Sequence, residues 1–140
     1  MLYLIQNKEL KSFIRIIVKV KGKSMTIKDV NRILDGSIIY GKEHLEKEVH
    51  AGCGSDMMSD VLAFSKNQSV LLTGLCNLQV VRKAEMTDII CIVFVRGKKP
   101  DESMIALAKE LGIVLLTTRH RMFSACGLLY EQGLRGGVCS

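Results

Sequence analysis

The 140-residue sequence predicts an α/β fold in three layers, with a mostly parallel sheet covered by helices on both faces. The first observation is that three short runs, at residues 70–72, 89–95 and 113–116, are entirely apolar. Strands of this kind are buried on both faces, as they are in parallel sheets. The second observation is that amphipathic segments of helical length alternate with these runs. The length fits a single domain.

The first elements follow from capping and turn residues. Thr26 is a good N-cap for a helix over residues 27–34, and Gly36 is expected to close it. A short strand at residues 37–40 ends at Gly41. A charged, hairpin-like link at residues 42–48 then leads into the motif Gly52-Cys53-Gly54.

A helix over residues 55–65 is expected after this motif, with Ser55 as its N-cap and Asp56 in its first turn. Three further helices are predicted, at residues 77–86, 100–111 and 122–132. Pro100 and the two acidic residues after it suit a first helical turn, and Gly112 and Gly133 suit helix ends.

The N-terminal segment, residues 1–24, differs from the rest of the chain. It carries five of the six net positive charges, and residues 13–21 alternate as a strand would. The codons for Lys21-Gly22 resemble a bacterial ribosome-binding site just upstream of Met25. We therefore expect residues 1–24 to be a mis-annotated start; the alternative is a real basic extension or an added edge strand.

Composition limits the classes of function. The domain after residue 24 is nearly neutral, and the chain has no Trp and few other aromatic residues, so nucleic-acid binding is not expected. No apolar run is long enough for a membrane helix. The five cysteines are widely spaced and form no CxxC pair, which favours a reducing cytoplasm. Cys91 and Cys126 lie in apolar runs and are expected to be buried thiols.

Ligands of open α/β sheets bind outside the carboxyl ends of the strands. In this sequence the rule selects four segments, at residues 52–55, 73–74, 96–99 and 117–121. Positive charge at the same edge would come from five side chains, those of Arg96, Lys98, Lys99, Arg119 and Arg121. The sequence therefore predicts a site for an anionic ligand such as a nucleotide or phosphate ester. The predicted ligand-binding residues are Gly52, Cys53, Gly54, Ser55, Asp56, Thr73, Gly74, Arg96, Gly97, Lys98, Lys99, Thr117 and Thr118.

Two other kinds of chemistry stay open at this point. Asp56 and Asp60 are four residues apart on the expected helix, so both carboxylates could hold Mg²⁺ with a phosphate. Cys53 would lie near a helix N-terminus, which lowers a thiol pKa, and it could share a redox or iron–sulfur role with Cys76 and Cys126. The simpler interpretations are helix capping for the aspartates and a small loop residue for Cys53. No cofactor or resident metal is predicted.

The run LEKEVHAGCGSDMMSDVLAF, with VFVRGKKPDE and GIVLLTT downstream, resembles the DRTGG domain family over about residues 25–134. The family motif reads approximately D-R-x-V-x-x-G, followed by S-D-L-L-S-D-V-M. The stretch SDMMSDV, residues 55–61, follows the second part closely, and Gly52 keeps the glycine of the first part. Glu46-Lys47 replaces the Asp-Arg of the family, so the five letters that name the family are absent.

Residues 135–140 are expected to form a flexible tail that leaves Cys139 exposed.

The resemblance implies a fold like the N-terminal domain of HPr kinase/phosphorylase, in an accessory domain that dimerises and senses a nucleotide-type ligand. Short stand-alone relatives with the same Cys-Gly-Ser-Asp variant are similar to bacterial proteins encoded beside iron hydrogenase subunits. We therefore expect a cytoplasmic, homodimeric, non-catalytic regulatory protein in redox metabolism, binding an anionic ligand or a partner protein. The alternatives are a Mg-dependent enzyme of phosphate chemistry and a redox accessory protein.

Overall fold

The computed structural model describes residues 24–63 and 67–136. Residues 1–23 lie outside the described residues, and with them the predicted strand over residues 13–21 and nearly all of the segment that was expected to be a mis-annotated start. The same holds for residues 64–66, at the end of the predicted helix 55–65, and for residues 137–140 of the predicted tail, with Cys139.

Seven strands and five α-helices make up the described chain. The strands are β1 (Met25–Thr26), β2 (Ser37–Tyr40), β3 (Glu48–Val49), β4 (Ala51–Gly54), β5 (Ser69–Thr73), β6 (Ile89–Phe94) and β7 (Val114–Thr117). The helices are α1 (Ile27–Ile33), α2 (Met58–Ala63), α3 (Leu78–Glu85), α4 (Glu102–Leu111) and α5 (Met122–Glu131), with a 3-10 turn at Lys42–His44.

The main sheet has five strands in the order β2-β7-β6-β5-β4. β4, β5, β6 and β7 are parallel, and β2 is antiparallel to β7 at one edge. β1 and β3 form a separate antiparallel pair. The predicted mostly parallel sheet is therefore confirmed, with an antiparallel edge strand added.

Alternate residues of the central strands face two different helical layers, as the pleat requires. Val70 and Leu72 of β5 pack with buried residues of α1 and α5, such as Val30 and Leu129. Leu71, between them, packs with α2, α3 and α4, where Met104 is fully buried. The three-layer prediction is confirmed, because helices cover both faces of the sheet.

Side-chain caps fix the starts of three helices. The Thr26 hydroxyl accepts from Asp29 N–H at 3.2 Å, and the Asp29 carboxylate accepts from Thr26 N–H in return, which forms a capping box. Asn77 caps α3. Asp101 caps α4 by accepting from Met104 N–H at 2.9 Å, so it lies before the first helical turn and not within it.

The region around Gly52-Cys53-Gly54 differs from the prediction. Ala51–Gly54 is an edge strand, not a loop, and it pairs in register with β5 from Ala51↔Ser69 to Gly54↔Leu72. The following helix starts at Met58, so Ser55 does not cap it. Gly36 was expected to close α1, but the left-handed residue there is Asp35, with φ of 48°. Among the described helices, none combines the length and apolarity needed to cross a bilayer.

Candidate functional site

The four parallel strands end at the same edge of the sheet, and their connections diverge there. The connection after β6 leads to α4 on one face of the sheet, and the connection after β7 leads to α5 on the other face. A crevice forms where adjacent parallel strands send their connections to opposite faces. Two backbone hydrogen bonds join the loops at this point, from Arg96 N–H to His120 O at 2.9 Å and from Gly97 N–H to Thr118 O at 2.8 Å.

A cavity of about 440 Å³ lies beside this junction, and we call it the switch-point crevice. It is lined by Asp35, Ser37, Gly97, Lys99, Thr117, Thr118 and Arg119. Four of these residues were predicted to bind a ligand. Arg119 was expected only as extra charge at the rim, whereas Asp35 and Ser37 were not expected at all. Asp35 and Ser37 reach the crevice because β2 runs antiparallel to β7. The start of β2 therefore lies at the sheet edge where the parallel strands end.

The two threonines of the crevice use their hydroxyl groups within the protein. Thr117 Oγ1 donates to Lys98 O at 2.7 Å, and Thr118 Oγ1 donates to Leu34 O at 2.7 Å. Both residues are buried, where a hydroxyl needs a partner. They therefore shape the walls and tie β7 to the end of α1, while the Lys99 and Arg119 side chains provide the positive charge.

The other predicted residues at this edge form a connected structural unit. Asp56 Oδ1 accepts from Gly74 N–H at 2.6 Å and from Thr73 Oγ1 at 3.2 Å. Ser55 Oγ accepts from Met57 N–H at 3.0 Å, which makes a turn before α2. The polar atoms of Asp56 and Thr73 thus hold the β4–α2 connection against the end of β5.

The proposed sharing of a helix face by Asp56 and Asp60 is wrong, because Asp56 precedes the helix and Asp60 lies in its first turn. In residues 24–63 and 67–136, no group of three or more His, Cys, Asp or Glu side chains is arranged to hold a metal ion.

Arg96 connects this unit with the crevice. Its φ of 60° permits the turn from Val95 to Lys98 that opens the β6–α4 loop. Its guanidinium covers Gly74, since a methyl group at Gly74 would lie 2.5 Å from Arg96 Nη2. Lys98 is exposed next to it. Arg96 and Lys98 therefore extend the positive charge of the crevice along the sheet edge.

Gly52, Cys53 and Gly54 do not reach the switch-point crevice. They line a second, mostly apolar cleft of about 290 Å³ between β4, α5 and residues 134–136. A methyl group at Gly54 would lie 2.6 Å from Cys126 Sγ, and one at Gly52 would lie 2.9 Å from Leu134 Cδ2. Packing against α5 and the segment after it therefore explains both glycines.

Among the described residues, no cysteine thiol has a lowered pKa. Burial raises the pKa of Cys53, and the neighbouring Cys126 and Asp60 raise it further. Burial also raises the pKa of Cys126 and, with a contribution from Asp101, that of Cys76. Cys91 is buried, as predicted, and burial raises its pKa strongly. Cys126 was also expected to be buried, but it is only partly buried, at the edge of the cleft beside β4. The expected lowering of the Cys53 pKa by a helix N-terminus is wrong, because Cys53 lies within β4 and packs with the α2–α4 layer.

No protein-family model and no curated protein matches the chain. Among solved structures, the fold is similar to the CBS and DRTGG domains of the regulatory region of Clostridium perfringens pyrophosphatase, which was crystallised with its activator diadenosine tetraphosphate. The TM-score is 0.57 at 16% sequence identity, over 76% of this chain and 46% of that chain. The chain thus spans less than half of the matched chain. The likeness supports a DRTGG-like α/β fold.

Proposed function

We propose that this chain is a non-catalytic regulatory module that senses an anionic, nucleotide-type ligand in the switch-point crevice. Lys99 and Arg119 would bind the phosphate groups, with Arg96 and Lys98 extending the positive field. Asp35 and Ser37, which also line the crevice, would accept hydrogen bonds from sugar hydroxyls. The proposal includes a homodimer in a bacterial cytoplasm, with a role in redox metabolism that rests on the sequence resemblance.

The observation that carries the proposal is the position of Lys99 and Arg119 in a preformed cavity at a topological switch point. The volume of about 440 Å³ is within the usual range for small-molecule sites. The similar clostridial regulatory region binds a dinucleoside polyphosphate, which favours a nucleotide as the ligand to test first.

Several observations favour binding over catalysis. Asp56, the main candidate for metal-assisted chemistry, is hydrogen-bonded to Thr73 and Gly74. The pKa values of the Cys53, Cys76 and Cys126 thiols are raised, which disfavours the nucleophilic thiolate. Gly52, Cys53 and Gly54 belong to the apolar cleft, so we leave them out of the proposed ligand site.

A thermal-shift screen of mono- and dinucleotides, with and without Mg²⁺, tests this function. At a ligand concentration 100 times the Kd, binding stabilises the fold by about 2.7 kcal/mol. For a domain of this size, that free energy raises the Tm by roughly 10 °C. Lys99→Ala and Arg119→Ala should remove most of the shift without unfolding the protein, because both side chains belong to the surface of the crevice.

Matched controls are Lys109→Ala and Arg82→Ala, since both residues are exposed on helices away from the crevice. The controls should keep the full shift. If no nucleotide or phosphate ester shifts the Tm, the small-molecule proposal fails and a partner protein becomes the occupant to seek. Turnover of a nucleotide that is lost in Asp56→Asn would instead establish the phosphate-chemistry enzyme.

A further inference from the structure

The charged side chains that line the switch-point crevice are not paired with one another. Asp35 is negative, Lys99 and Arg119 are positive, and all three residues are exposed. In the part of the chain that the structure describes, none of the three side chains makes an ion pair or a hydrogen bond. One carboxylate and two cations are therefore available to a ligand in the same cavity.

Two threonine hydroxyls hold these charged residues beside the end of β7. The backbone carbonyl of the residue before Asp35 accepts a hydrogen bond of 2.7 Å from the Thr118 hydroxyl. The carbonyl of the residue before Lys99 accepts one of 2.7 Å from the Thr117 hydroxyl. Arg119 follows Thr118 directly in the chain. The backbone around all three charged residues is therefore fixed to the same short stretch of the sheet edge.

The Asp35 carboxylate has the same sign of charge as the proposed phosphate ligand. Lys99 and Arg119 attract phosphate groups, whereas the carboxylate repels them, because like charges that share a site disfavour each other. A sugar hydroxyl can occupy one of the two carboxylate oxygens, but it does not offset the charge. A divalent cation between the carboxylate and the phosphates does. Mg²⁺ is usually held in this way, by one or two carboxylates together with substrate phosphates and water.

We propose that the crevice binds its phosphate ligand as the Mg²⁺ complex, with Asp35 as the protein ligand of the cation. Lys99 and Arg119 then contact the phosphate oxygens that the cation leaves free. The cation arrives with the phosphates, because Mg²⁺ is bound by a lone carboxylate only when phosphate oxygens complete its shell. The module would thus respond to the magnesium complex and discriminate against the free anion. This inference rests on the proposed function, since it requires a phosphate ligand in the crevice.

Linkage distinguishes this site from one that contains cations alone. In solution Mg²⁺ neutralises part of the charge of a diphosphate, so it weakens binding of the diphosphate to lysine and arginine. With Asp35 as a metal ligand, Mg²⁺ strengthens binding instead, and the phosphate ligand raises the affinity for Mg²⁺ by the same factor. Coupling between two ligands is typically about 5- to 150-fold. The sign of the Mg²⁺ effect on the Kd therefore separates the two kinds of site.

Isothermal titration calorimetry of the full chain with ATP, ADP and inorganic pyrophosphate, in MgCl₂ and in EDTA at equal ionic strength, tests the proposal. Pyrophosphate lacks a sugar, so it separates the cation from a sugar contact at Asp35. The wild-type Kd should be at least about fivefold lower with Mg²⁺. Asp35→Asn should reverse this order and bind the free anion more tightly than the wild type does, because the repelling charge is gone. Asparagine tolerates the φ of 48° at this position, so the variant keeps the fold.

The matched control is Glu110→Gln, which removes one exposed negative charge from the last turn of α4, where the chain is about to enter β7 at the opposite edge of the sheet. It should keep the Mg²⁺ dependence of the wild type. Wild-type binding that is equal in both buffers, or tighter in EDTA, overturns the role of the cation and leaves the nucleotide site in place. Equal weakening of Asp35→Asn in both buffers also overturns it. If no probe binds in either buffer, the proposed function itself fails.

Discussion

The Asp56 carboxylate accepts a hydrogen bond of 2.6 Å from the backbone N–H of Gly74. The same oxygen accepts from the Thr73 hydroxyl at 3.2 Å. Thr73 and Gly74 are both buried, so their donors depend on this carboxylate. The aspartate of the Gly-Ser-Asp sequence thus anchors the edge strand β4 to the neighbouring strand β5, across 18 residues of chain.

Asp56→Ala should therefore destabilise the fold by about 1–3 kcal/mol, because it leaves buried donors without an acceptor. Asp56→Asn keeps a side-chain oxygen and should lose less. The measurement is the free energy of unfolding in urea. Asp60→Ala is the control, since Asp60 is an exposed residue of α2, and it should lose less than about 1 kcal/mol. Equal losses in Asp56→Ala and Asp60→Ala would contradict an anchoring role.

Gly54→Ala should destabilise the fold by about 1–3 kcal/mol through overpacking. The new methyl group would lie 2.6 Å from Cys126 Sγ and 3.2 Å from Met122 Sδ. Cys126→Ala opens space at this point, so the double variant should lose less than the sum of the two single variants. Gly127→Ala is a matched glycine substitution without neighbours and should stabilise α5 by roughly 1 kcal/mol. Additive losses in the double variant would show that Gly54 matters for another reason.

The strongest sequence predictions concern elements whose own residues determine them. The strands β5, β6 and β7 are apolar on both faces, and α3 and α4 have helical apolar patterns, so both kinds of element were predicted close to their bounds. The caps were not predicted, because Asn77 and Asp101 were placed inside their helices. By contrast, Ala51–Gly54 contains two glycines and has little strand propensity. Its strand conformation comes from pairing with β5, and no local pattern reports that pairing.

Four of the seven residues that line the switch-point crevice were predicted from the sequence, because their position depends on the strands that they follow. Gly97, Lys99, Thr117 and Thr118 follow buried strands, so the rule for strand ends located them. Asp35 lies in the turn before the antiparallel edge strand β2, and Ser37 is the first residue of that strand, whose direction is set by tertiary packing. The positive φ of Asp35 fits an aspartate in a turn, but it carries no signal that the turn borders a cavity.

In the described part of the native chain, the partly buried thiols of Cys53, Cys76 and Cys126 should react slowly with iodoacetamide at pH 7, because their pKa values lie above the ordinary thiol value. Rates should rise steeply above pH 9, and buried Cys91 should react only after unfolding. Peptide mapping by mass spectrometry gives the rate for each cysteine. Asp60→Asn removes a negative charge near Cys53 and should modestly raise its rate alone. A fast reaction of Cys53 at pH 7 would contradict this prediction and favour the redox alternative.

The pKa of Asp101 is lowered by the Ser103 hydroxyl, which donates to it at 2.6 Å, and by the Met104 N–H. The folded-state pKa therefore lies below the unfolded one. The resulting stabilisation is present above the unfolded pKa, near 4, and is lost as the pH falls through the folded value. Asp101→Asn keeps a capping oxygen but not the charge, so the difference in unfolding free energy between wild type and variant should be constant from pH 7 to about 5. It should shrink below about pH 4. NMR titration of Ser103→Ala should move the Asp101 pKa upward, and an unchanged value would contradict the role of this hydroxyl.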